Sequence, residues 1–179
     1  VARPSSKAQQ SARPAPRLRR AYYECRYGQL HLHNAIPGGG GFDELTPVIC
    51  LHGEGETGRA FVPLFPALGL ERSVYALDLP GTGESDPAPG VPSMDAAIAA
   101  VGDFIDSMRI RSFDLLARGG AATAALKLLE QRGTAVRRAV LLAPTGIVRT
   151  NPKLVVLTAA EVGAAGLPER LMELLAAGT

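Results

Sequence analysis

The stretch Ser112-Phe113-Asp114-Leu115-Leu116-Ala117-Arg118-Gly119-Gly120-Ala121-Ala122-Thr123-Ala124-Ala125-Leu126 decides the fold. A short apolar run, Phe113 to Ala117, leads with no spacer into an alanine-rich segment carrying Leu126 and Leu129. The first part reads as a strand buried on both faces. The second reads as a helix whose small residues let it lie close to a sheet. The turn between them, Ala117-Arg118-Gly119-Gly120-Ala121, has at its centre Gly119, a residue with no side chain.

Working outward, the same pattern recurs. Thr46 to Gly53 (T-P-V-I-C-L-H-G) is a β-branched-rich run ending in glycine. Ser73 to Leu79 is a second, closed by Pro80 and the turn Gly81-Thr82-Gly83-Glu84-Ser85. Val136 to Ala143 is a further strand, stopped by Pro144-Thr145-Gly146. Ser93 is a good N-cap for a helix with Ile98, Val101, Ile105 and Met108 at helical spacing. Ala122, Ala125, Leu126 and Leu129 form the stripe of the helix after Gly119. Two short strands, Ala21 to Tyr27 and Gln29 to Ala35, come first and turn at Tyr27-Gly28. Strands alternating with helices predict an α/β fold, a mostly parallel sheet of about six strands with helices on both faces.

From about Ala21 to Pro144, these pieces in this order resemble the α/β-hydrolase family. Leu51-His52-Gly53 matches its loop after the third strand, and Asp78 to Ser85 looks like its D-x-x-G-x-G-x-S loop. The turn at Gly119 stands where the family carries G-x-S-x-G, with a serine exposed on a sharp strand-to-helix turn. The resemblance implies the fold, and two departures bear on the activity. Gly119 replaces the nucleophile, Ala117 and Ala121 replace the flanking glycines, and Thr123, the nearest hydroxyl, is already inside the helix. Family members also continue past the sixth strand through a cap region to two more strands carrying an acid and a histidine. Here the chain ends at Thr179 and no histidine follows His52, so the last two strands and the general base are expected to be missing. The expectation is a truncated, catalytically degenerate member.

By the same resemblance, the backbone N–H groups of Gly120 and Glu54 would form an oxyanion hole. Gly53, Glu54, Arg118, Gly119 and Gly120 are then the candidate set for a small anionic ligand, a carboxylate or phosphate at a helix N-terminus. Glu54 and Glu56 oppose an anion, and the plainer reading is a surface salt link between them and Arg118. Ser85 is a weak candidate nucleophile, because no histidine is placed to activate it. Asp78 and His52 read as loop-bracing groups. His31 and His33 fall on one face of a strand, but without a third ligand nearby they read as a solvated edge face and no metal is expected. Cys25 and Cys50 form no C-x-x-C pair and read as free thiols. No cofactor is implied.

The 179 residues are 46% apolar, which suits one globular domain, and no run is long enough to span a membrane. The first twenty positions hold Arg3, Lys7, Arg13, Arg17, Arg19 and Arg20 and no acid, which leaves the remainder at about −4. Residues 1–20 therefore read as a disordered basic tail, 21–146 as the core, and 147–179 as a cap-like or edge-covering helical tail. The folded part has no basic stripe to continue the tail, so no nucleic-acid partner is expected, and the expected compartment is the cytoplasm. Val136 to Ala143 would be an unpaired edge, which invites pairing with another chain. That edge or the apolar 151–179 segment could build a homodimer, or the segment could fold back over the edge. Three readings compete: a pseudoenzyme acting by small-molecule binding or assembly, an ester hydrolase with an atypical or complemented site, and the front part of a longer enzyme.

Overall fold

The computed structural model describes residues 13–40, 45–146 and 150–176. β1 (Arg17–Cys25) and β2 (Gly28–Ile36) form an antiparallel hairpin with Cys25 opposite Gly28, so the turn is Arg26-Tyr27, one residue earlier than expected. β1 also begins four residues before the expected Ala21. Arg17, Arg19 and Arg20, assigned to the tail from sequence, are strand residues, while positions 1–12 lie outside the described residues. The physical reason is position. β1 is the outermost strand, with its first half exposed, so backbone pairing to β2 holds it without an apolar pattern.

The sheet continues through β3 (Val48–Leu51), β4 (Val74–Leu77), β5 (Phe113–Arg118), β6 (Val136–Leu142) and β7 (Leu154–Leu157), in the order β1-β2-β4-β3-β5-β6-β7. β2 meets β4 antiparallel, and every pairing from β4 to β7 is parallel. All four residues of β3 are buried, as a central parallel strand covered on both faces requires.

Among the described residues the mostly parallel sheet has seven strands, where about six were expected. β7 pairs with β6 from Ala139 opposite Leu154 to Leu142 opposite Leu157. β6 is therefore not the open edge expected for Val136–Ala143, because the chain's own β7 pairs along it. The rest of the 151–179 segment forms α4 (Ala159–Val162) and α5 (Leu167–Ala176). In the described part of this segment, β7 lies along β6 and α5 lies on the sheet face.

One face of the sheet is covered by α2 (Met94–Ser107) and α3 (Ala122–Gln131). Ser93 caps α2, its hydroxyl accepting the Ala96 N–H at 3.1 Å. Phe104 joins the expected stripe and packs edge-on against Tyr23 and Tyr75. In α3 the buried stripe runs through Ala125 and Leu128, and Leu126 is only partly buried. The opposite face is covered by the turn Gly58–Leu64, by α1 (Phe65–Leu68) and by α5. Phe61, Phe65, Leu171 and Leu175 pack there on Val48, Val140 and Leu142.

An ion cluster below the sheet, absent from the sequence reading, locks α5 in place. Asp114, fully buried at the start of β5, meets Arg72 at 3.2 Å and receives both Nε and Nη2 of Arg137. Arg137 also donates to the Leu175 carbonyl, and Arg138 to that of Leu174 at 2.6 Å. Two cations thus sit on the last carbonyls of α5, where the helix dipole favours them.

Candidate functional site

The C-terminal ends of β3, β4 and β5 converge at the top of the sheet. β5 ends at Arg118 in an extended conformation. Gly119 then turns at φ +55, a tight turn covers Gly119–Ala121, and α3 begins. This is a sharp strand-to-helix elbow in a backbone conformation that side chains other than glycine's rarely adopt. The space in front of it is open. A Cβ at Gly119 would have Gly53 Cα as its nearest neighbour, at 3.9 Å. The neighbouring strand end is also left-handed: Ala143, after β6, has φ +44, and the Thr145 N–H reaches the Gly119 carbonyl at 3.3 Å.

The five residues expected to hold a ligand do come together. Gly53, Glu54, Arg118, Gly119 and Gly120 line one cavity of about 250 Å³, with Thr145 on its far wall. A second cavity of about 260 Å³ opens on the other side of Gly120 and is lined by His52, Leu79, Pro87, Met94 and Ala97 among others. The charges are arranged as the plainer expectation had them. Arg118 Nε lies 3.1 Å from Glu56 Oε1, and Glu56 Oε2 accepts the Gly53 N–H at 3.1 Å. Arg118 is thereby held by Glu56, while Glu54 is exposed at the rim.

The loop after β4 is saturated with hydrogen bonds. Buried Asp78 accepts the Gly58 N–H at 2.8 Å, the Glu84 N–H at 3.1 Å and His31 Nδ1 at 2.9 Å. Burial pushes its carboxyl pKa up, but the Glu84 N–H, the His31 ring and the Gly58 N–H together hold it below the usual carboxylate range. Ser85, the weak candidate nucleophile, is tied into this loop. Its hydroxyl donates to the Asp78 carbonyl at 2.6 Å and accepts the His31 N–H at 2.9 Å, and it lines neither cavity. His52 braces the same region. Its Nδ1 donates to the Gly53 carbonyl at 2.9 Å, and its Nε2 accepts the Leu79 N–H at 3.0 Å. Both cysteines are free, and burial raises the thiol pKa of Cys50.

His31 and His33 depart from expectation. β2 lies between β1 and β4, so they do not stand on an edge strand, and His31 is only 2% exposed. The third group thought to be lacking is Asp78, brought in by the register that sets Leu32 opposite Leu77. Burial lowers the pKa of half-buried His33, against the charge of Asp78. Among the described residues no helix is long and apolar enough to cross a membrane.

A family model described as alpha/beta hydrolase fold matches residues 46–179. No curated protein matches. Among solved structures, similarity extends to an epoxide hydrolase from Vigna radiata (20% identity, TM-score 0.64, 76% of this chain and 41% of that one). It also extends to naproxen esterase from Bacillus subtilis (21%, 0.63, 73% and 44%). A third is a haloalkane dehalogenase from Agrobacterium tumefaciens (19%, 0.62, 71% and 41%). The chain spans less than half the length of each, and at these identities the likeness speaks to the fold. With the sheet order, the elbow and the family match in agreement, this chain belongs to the α/β-hydrolase fold family.

Proposed function

We propose that this chain is a catalytically degenerate α/β-hydrolase-fold protein that binds a small, uncharged molecule at the elbow. The observation that carries the reading is Gly119: the turn keeps its shape at φ +55 while offering neither hydroxyl nor carboxylate. Acyl transfer needs a nucleophile with a base in hydrogen-bond reach. Among the described residues, the Ser85 hydroxyl and both nitrogens of His52 are engaged with loop backbone. An uncharged ligand fits better than the anion expected from sequence. Arg118 is paired with Glu56, Glu54 adds negative charge, and the cavity beyond Gly120 is walled by Leu79, Pro87 and Met94.

The test is a fluorophosphonate probe with intact-mass readout, run beside a thermal-shift screen of uncharged esters and amides. No adduct, with a rise in Tm for some compounds, supports binding without turnover. A serine adduct would support the second reading, an ester hydrolase with an atypical site. That reading is favoured by the open space and left-handed turn at Gly119, and by the esterase and epoxide hydrolase of similar fold.

A further inference from the structure

β1 is the outermost strand, and the pairing of β2 fixes which of its backbone groups face outward. The Asp78 N–H bonds the His31 carbonyl and the Asp86 N–H bonds the Gln29 carbonyl, both at 2.9 Å. The Gln29 N–H reaches Asp86 Oδ2 at 2.7 Å, and the His31 N–H reaches Ser85 Oγ at 2.9 Å. Gln29 and His31 thus turn their backbones away from β1. Their partners opposite, Glu24 and Tyr22, turn theirs away from β2 in the same way. Alternation along the strand adds Arg20 and Leu18 to the outward set. Among the described residues the outward N–H and C=O groups of these residues meet no partner. Such an edge is a template for another strand.

The side chains along that edge select the strand it can take. Leu18 and Tyr22 are 54% and 51% exposed and share one face with Arg20. Arg17 and Arg19 lie on the other face, exposed and without an ion-pair partner among the described residues. Exposed Arg59 adds charge near His33, the residue opposite Arg20. Glu84 works against an anion, but it accepts the Tyr22 hydroxyl and lies 3.5 Å from Arg20. Positive charge therefore gathers over the first half of β1, and Glu24 stands at its far end. We propose that the outer edge of β1 docks an acidic, extended segment of another protein, which joins the sheet as a further strand. Pairing to the backbones of Leu18, Arg20 and Tyr22 supplies the grip, and side-chain alternation supplies the selectivity. Carboxylates on one face of the segment meet Arg17 and Arg19, and apolar side chains on the other lie beside Leu18 and Tyr22. A second copy of β1 fits less well, because each copy brings three arginines against one glutamate. The same charges that repel a like strand favour an acidic one.

The experiment titrates the tag-free chain into a dye-labelled peptide of alternating glutamate and valine, about eight residues long to match β1, and reads fluorescence anisotropy. The expected result is saturable binding that weakens as salt is raised. The double variant Arg17→Glu, Arg19→Glu should keep the parent's circular dichroism and weaken binding at least about tenfold. Leu18→Pro is the second variant: it removes an outward N–H without taking a bond from the ladder to β2, and should also weaken binding. Two N-methylated peptides, one methylated on the valine nitrogens and one on the glutamate nitrogens, test backbone pairing without altering the protein. Only one of these sets faces β1, so one peptide should lose binding and the other keep it. No saturable binding, or equal affinity in a folded double variant, overturns the proposal. Equal binding of both methylated peptides overturns it too, since the contact would then be one of charge alone. Sedimentation of the chain as a dimer that Leu18→Pro dissociates would assign the edge to a second copy, and overturns it as well.

Discussion

Gly83 and Gly119 stand at the same end of the sheet with nearly the same φ and opposite surroundings. Gly83, after β4, has φ +52, and Gly119, after β5, has φ +55. A Cβ on Gly83 would fall 2.0 Å from Asp78 Oδ2, whereas one on Gly119 would meet nothing closer than 3.9 Å. At Gly83 the missing side chain makes room for a carboxylate that ties the loop to β2 and to the turn after β3. At Gly119 it leaves open space in a turn already bent to present a side chain. Similar φ angles thus serve two ends: one loop is filled by a carboxylate that ties it down, the other faces open space.

The sharpest way to break the comparison is to empty the saturated loop. Asp78→Ala orphans three buried donors and should lower stability by at least about 3 kcal/mol in urea denaturation. It should also change the acid limb of the pH–stability profile. The folded-state pKa of Asp78 is depressed, so its stabilisation is complete above the unfolded value, about 3.9, and is lost as pH falls through the lower folded value. The variant should show a shallower decline there. Gly83→Ala comes next, at about 3 kcal/mol, because the clash adds to left-handed strain. Gly119→Ala and Gly119→Ser should each lose only about 1 kcal/mol, the strain alone, and Gly119→Ser should remain unlabelled by the fluorophosphonate probe. Equal losses at the two glycines would sink the contrast. The smallest effect is expected from Arg118→Ala, under about 1 kcal/mol, since its partner Glu56 keeps its bond to Gly53.

The parts legible in the sequence were those written locally. The elbow, the His52-Gly53 turn, the Asp78–Ser85 loop and the Ser93 cap each occupy a few consecutive residues with their own turn chemistry. What escaped depends on register between distant segments. Asp78 meets His31 across 47 positions because β2 lies antiparallel to β4, and alternation of histidines in one strand does not announce that partner. β7 escaped because a four-residue apolar run is equally a strand or part of a helix until β6 offers it hydrogen bonds. The start of β1, before Ala21, reads as tail because an outer strand rich in arginine has the composition of a solvated segment. The Arg72–Asp114–Arg137 cluster leaves no local mark at all, since its members come from the loop before β4, from β5 and from β6.

The open space at the elbow also bears on how easily this chain could change over generations. Glycine and serine codons can differ by a single base, and the surroundings of Gly119 leave a new Cβ free of collision. Restoring a hydroxyl at the tip of the turn therefore asks for one mutation and no compensating change in the packing. The turn and the side chain at its tip are thus separable: the backbone shape and the open space in front of it stand whatever residue the codon supplies.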